Sequence, residues 1–137
     1  IYSLNRGLTN IETIKPVLKK IQNDLFNVGA QVAQSPSLSI TDKSVDYLEE
    51  KIDYYNTDLP ALESFVLPGG SKISALFHNA RAVVRRAERS LWGAMYMNDY
   101  SLEVCARYLN RLSDLLFVLA RLYNEEEVLW EPGERND

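Results

Sequence analysis

Metal-binding side chains are scarce in this sequence: its 137 residues include one histidine, His78, and one cysteine, Cys105. One of each cannot fill the tetrahedral ligand set of a structural zinc site. A carboxylate-bridged di-metal bundle needs Glu-x-x-His pairs on two helices, and His78 sits in no such spacing. No metal ligand set is therefore assigned to the protein. The lone cysteine excludes an internal disulfide, which fits a reducing compartment. Its place among leucines predicts a packed thiol rather than a nucleophile. No apolar run approaches the roughly 18 residues of a membrane span, so no membrane partner is expected. The opening "IYSLNRGLTN" lacks the apolar block of a secretory signal, and the expected location is the cytoplasm. Gly-rich phosphate loops of the Walker or Rossmann form are missing too. "PGGS" at 68–71 reads by itself as a turn.

Excess positive charge is also lacking. Fifteen Lys and Arg face nineteen Asp and Glu, for a net charge of −4. Broad electrostatic binding of nucleic acid needs many phosphate-neutralising cations, so no nucleic-acid partner is expected. The length fits one domain, 1–137, with a single core. With 46% hydrophobic and 25% charged residues the composition is that of an ordinary globular chain.

No segment alternates with period two for long enough to form a strand, whereas helical spacing is widespread. Leu4, Leu8 and Ile11 read as the end of a first helix over 2–12. Ile14, Val17, Leu18, Ile21, Leu25, Val28 and Val32 predict a second over 13–33, with Pro16 tolerable only in its first turn. After the Ser/Pro loop "QSPSLSITD", Asp42 or Ser44 is the expected cap of a third helix carrying Val45, Leu48, Ile52 and Tyr55. Leu59–Gly70 reads as a long connection, with Ser71 capping a fourth helix over 72–95. "YMNDYS" closes that helix. A fifth over 101–124 sets Leu102, Cys105, Leu109, Leu112, Leu116 and Leu119 on one side, and the tail "EPGERND" is expected to fray. The fold class is all-α, an antiparallel five-helix bundle of the up-down, ferritin-like kind.

The fourth helix carries the least ordinary stretch, "ARAVVRRAERS" at 80–90. At about 100° per residue, Arg81, Glu88, Arg85, His78 and Arg89 share one arc. Leu76, Ala80, Val83, Val84, Ala87 and Leu91 take the opposite side, which predicts that the arginines lie outside the core. Arginines four apart repel unless an anion lies between them, and Glu88 offsets only one. A polyphosphate or a partner's carboxylate would supply the rest. On the fifth helix, Asn110, Asp114, Phe117 and Arg121 form a second polar face opposite the leucines. Solvated surface charge is the ordinary explanation of such faces. Asn110 argues against it here, because a short amide gains little on an exposed helix.

Three ordered motifs, "FVLPGGS" (65–71), "ARAVVRRAER" (80–89) and "YLNRLSDLLFVLAR" (108–121), resemble the PduO-type ATP:cob(I)alamin adenosyltransferases. Weaker similarity extends to "IQNDLFNVGAQVA" (21–33) and "VDYLEEKID" (45–53). The resemblance implies a homotrimer with active sites between subunits, ATP with Mg2+ and cobalamin as substrates, and a reductase that delivers cob(I)alamin. It implies ATP-binding roles for Arg85, Arg86, Glu88, Arg89 and Asn110, with Arg85 and Asp114 at the reacting centre. Phe65 would lie at the corrinoid, and Arg81 would pair across the subunit interface. The sequence departs from the family at two points. The Thr- and Gly-rich phosphate segment that normally precedes the first helix has no counterpart here. Tyr2 stands where the aspartate partner of Arg81 is expected, and a phenol cannot supply that charge. These departures motivate an alternative, a catalytically silent bundle of the same fold that carries corrinoid or regulates. A helical RNA-binding module is the third reading, and the acidic balance disfavours it.

Overall fold

The computed structural model describes residues 11–33, 40–57, 59–62, 66–68, 70–97, 102–124 and 131–133, side chains 96 and 97 aside. Among these the regular structure is helical: α1 Ile11–Val32, α2 Asp42–Asn56, α3 Lys72–Met97 and α4 Glu103–Leu122. No helix among the described residues is long and apolar enough to cross a membrane. The helix expected over 2–12 lies almost wholly outside the described residues, and so do most of the tail and residues 98–101.

α4 is the central element. Thirteen of its residues are buried, including every position from Val118 to Leu122 in its last turn. It packs against α3 on one side and α2 on another. The ties between helices fix their directions. Ser74 Oγ donates to the Ala120 carbonyl at 2.8 Å near the start of α3 and the end of α4, so these two run antiparallel. α2 runs parallel to α4, because Asp42 meets Arg107 and Glu49 meets Arg111 further along both. α1 runs antiparallel to α2, with Gln31 Oε1 accepting from the Ile40 N–H at 2.7 Å and Lys20 lying over the Tyr47 ring at 4.9 Å. The order is up-down-up-down, as expected for this fold class.

The cap of α3 follows the expectation. Ser71 Oγ accepts from the Ser74 N–H at 3.1 Å, satisfying one of the amides that a helix start leaves unbonded. The same hydroxyl donates to the Tyr123 carbonyl at 2.8 Å, which pins the start of α3 to the end of α4. Gly70 ahead of it has φ 92°, a region open to glycine at little cost. The start of α2 differs from the expectation. Thr41, rather than Asp42 or Ser44, takes the N-cap in an extended conformation, without a side-chain bond. Its carbonyl accepts from the Ser44 N–H at 2.9 Å instead. α1 already runs at Ile11, so Pro16 lies inside it and not in its first turn. Pro16 is exposed, with its ring turned away from the core.

The larger correction concerns the faces of α3. Leu76 is 58% and Val83 47% exposed, and Ala87 is exposed as well, although all three were assigned to the buried side. The line that meets α4 is Ser74, Phe77, Leu91 and Met95, all buried, with Val84 partly so. That line is rotated by about 70° from the centre of the expected stripe. Arg81 and Glu88 come with it and are half-buried, not outside the core as expected. The apolar stripe is wider than one neighbour can cover.

Candidate functional site

α3 and α4 bring Glu88 and Asn110 together. Asn110 Nδ2 donates to the Glu88 carboxylate, at 3.3 Å to Oε2 and 3.5 Å to Oε1. The pairing explains why an amide occupies this position in a helix: it faces a carboxylate on the neighbouring helix. Asn110 Oδ1 accepts from Arg111 Nη1 at 3.1 Å. Arg111 is itself held by Asp114 at 3.0 Å and by Glu49 of α2 at 2.9 Å. Its guanidinium pKa is raised, first by the hydrogen bond it donates to Glu49. Glu88, Asn110 and Asp114 thus join one network over three helices, with Arg111 as its hub. Networks of this kind hold each member's side chain in one rotamer.

A cavity of about 290 Å³ opens beside the network, lined by Val45, Glu49, Glu88, Trp92, Arg107, Asn110 and Arg111. A second, of about 280 Å³, lies on the other side of Arg111, between Ile52, Asp53 and Asp114. Both open to the surface. Trp92 Nε1 donates to Glu88 Oε2 at 3.1 Å, so this carboxylate receives neutral donors from both its own helix and α4.

The arginines divide into two groups. Arg85, Arg86 and Arg89 are exposed and form no ion pair among the described residues. Arg86 points about 100° round the helix from Arg85, away from the Glu88 face. Arg81 is half-buried, with its guanidinium carbon 4.9 Å from the centroid of Phe117 in a cation–π contact. Its Nε is buried without a hydrogen-bond partner, and so is Nε2 of His78 one turn earlier. Burial, and then the nearby Arg85 charge, lowers the Arg81 pKa. Burial, and then Arg81, lowers that of His78. Arg121, placed by its spacing on the polar face of α4, is 4% exposed, and its Nη2 donates to the Pro60 carbonyl at 2.7 Å. It belongs to the packing of the 59–62 connection rather than to a solvated face.

Phe65 and Tyr2 lie outside the described residues. Sequence reasoning missed Arg111, Glu49 and Trp92. A signal existed for two of them: Arg111 adjoins Asn110 in "NRLSD", and Trp92 stands four residues after Glu88. Glu49 had none, because its role depends on how α2 docks. Cys105 is fully buried, as expected, and burial raises its pKa. Among the described residues no cluster of three or more His, Cys, Asp or Glu could hold a metal.

A family model described as cobalamin adenosyltransferase matches residues 2–123. A corrinoid adenosyltransferase of Mycobacterium tuberculosis is 53% identical over 129 residues, covering 88% of this chain and 67% of that protein. One from Bacillus subtilis is 40% identical, covering 86% and 62%. Among solved structures, a variant PduO-type ATP:corrinoid adenosyltransferase of Lactobacillus reuteri, complexed with cobalamin and ATP, superposes with a TM-score of 0.79 at 32% identity. It covers 87% of this chain and 69% of that one. Taken with the joined Glu88 and Asn110 motifs, these similarities mean that the chain belongs to the cobalamin adenosyltransferase family.

Proposed function

We propose that the protein transfers the 5′-deoxyadenosyl group of ATP to cob(I)alamin, giving adenosylcobalamin and triphosphate. The observation that carries this reading is the Glu88–Asn110 pair, built from two separate family motifs and lying beside arginines that no described carboxylate neutralises. Cobalt in the Co(I) state carries a nucleophilic electron pair. That pair forms the Co–C bond at C5′ while the C5′–O bond breaks, and the electrons of that bond leave with the triphosphate. The protein's task is to align the two reactants and to stabilise the charge that develops on the leaving group.

Arg85 and Arg89 suit that second role, since guanidinium groups donate in pairs to phosphate oxygens. Arg86, turned to another side, would reach a phosphate only from a neighbouring direction. Glu88 and Asn110 offer a carboxylate and an amide to the nucleoside. Asp114 supports them through Arg111 and, with Arg85, is assigned to the reacting centre. Mg2+ would travel with the triphosphate, since no carboxylate cluster among the described residues is suited to bind it alone; its contribution would be further charge neutralisation. Phe65 is assigned to the corrinoid by family resemblance. A homotrimer of five-helix subunits, a reductase partner and a cytoplasmic location complete the proposal. The exposed stripe Ile73, Leu76 and Val83 on α3 supports a subunit contact.

The test is the visible spectrum of chemically reduced cob(I)alamin mixed with Mg-ATP and the full-length protein. A light-sensitive adenosylcobalamin band is the expected result. A folded protein that binds corrinoid and produces no such band would overturn the enzyme reading in favour of the silent bundle.

A further inference from the structure

Glu88 is surrounded in sequence by arginines and pairs with none of them. Arg85 lies three residues before it, at a spacing where opposite charges on a helix readily meet. Trp92 lies four residues after it and takes the carboxylate instead, through Nε1 at 3.1 Å. Asn110 approaches the same oxygens from α4 at 3.3 and 3.5 Å. The carboxylate is thereby turned along the helix towards Trp92 and across to α4, away from Arg85. Glutamate's terminal torsion is broad, so without the indole donor the carboxylate would sample the Arg85 side as well.

We propose that Trp92 is a positioning residue for nucleotide binding, a latch that holds Glu88 against Asn110 and leaves Arg85 uncommitted for an anionic ligand. The inference rests on the function proposed above. Two consequences follow from one hydrogen bond. Glu88 presents a fixed oxygen to the cavity, whose wall the Trp92 ring also forms. Arg85 keeps its full charge for a phosphate. Loss of the donor would let Glu88 swing to Arg85, which costs the nucleotide on both counts. Corrinoid binding would be untouched.

Trp92→Phe removes the N–H and keeps the ring wall. In the full-length protein, with folding checked by thermal melting, the ATP dissociation constant and the ATP KM should rise roughly 3- to 10-fold, the effect of one hydrogen bond. kcat should fall too, since Arg85 also serves the departing triphosphate, while the corrinoid KM should stay unchanged. In a Glu88→Gln background the same substitution should add little, because both act through one carboxylate. The indole N–H resonance of Trp92, one of two tryptophan signals in the chain, should shift in Glu88→Gln. An unchanged ATP dissociation constant, an equal loss in both backgrounds, or an indole resonance blind to Glu88→Gln would each overturn the latch. Calorimetric ATP binding separates this result from the fate of the enzyme reading. A protein that binds ATP and shows the Trp92 effect without forming adenosylcobalamin would keep the latch and sink the catalytic function.

Discussion

Gly70 and the side chains near it show how much can depend on one residue. A Cβ added at Gly70 would stand 2.3 Å from Oδ1 of the buried Asn124, and the φ of 92° is one that other residues adopt only under strain. Gly70→Ala should therefore lower unfolding stability by about 1–2 kcal/mol, as read from denaturant midpoints. Ser71→Ala, which removes the cap, should cost about 1 kcal/mol by the same measurement. Arg85 is a residue of the opposite kind, exposed and unneeded for the core. Arg85→Ala should leave melting unchanged while ATP affinity falls about 10- to 100-fold, as expected for a charge-assisted contact. Unchanged nucleotide binding in that variant would remove Arg85 from the site.

Helix by helix, the structure shows which patterns a sequence can disclose. The leucine ladder of α4 was legible because a buried helix repeats large apolar residues without interruption, and Ser71 was legible because a cap has a local chemistry. The rotation of α3 was not. Its stripe contains two alanines, whose small side chains allow packing on either flank, and only the position of α4 decides which flank is buried. The Glu88–Asn110 contact was foreshadowed by an amide on a helix face, but Glu49 and Arg111 depend on the docking of α2. The junction of α1 with α4 was equally hidden. There the buried Asp24 accepts from the Tyr108 hydroxyl at 3.1 Å and from Lys20 at 3.3 Å. Tyr108→Phe leaves that carboxylate short of a donor, and should cost about 1–3 kcal/mol in an equilibrium unfolding curve.

For the molecule as a whole, buried titratable groups set a pH range. Burial, then the Asp24 charge, raises the Tyr108 pKa far above its ordinary 10.0, and burial also raises Tyr47, Tyr55 and Tyr123. A raised phenol pKa gives stability that is complete below the unfolded value and is lost as pH climbs above it towards the folded one. His78 is depressed from 6.5, so its contribution is present above that value and lost as pH falls below it. Melting temperature should therefore hold level between about pH 7 and 9 and drop on both sides, and Tyr108→Phe should flatten the alkaline drop. The proposed trimer would bury the exposed stripe of α3. Leu76→Asp should then shift the mass in solution towards one chain, as read by light scattering.

The central place of α4 has a consequence in time as well as in energy. A helix packed round most of its circumference exposes its inner amides only when its neighbours leave, so in deuterium oxide the protons of Leu112, Leu115 and Leu119 should be the last to exchange. Those at the exposed start of α1 should exchange first. Asn110 and Asp114 sit on that slow helix, so the nucleotide would meet the part of the protein that opens least often.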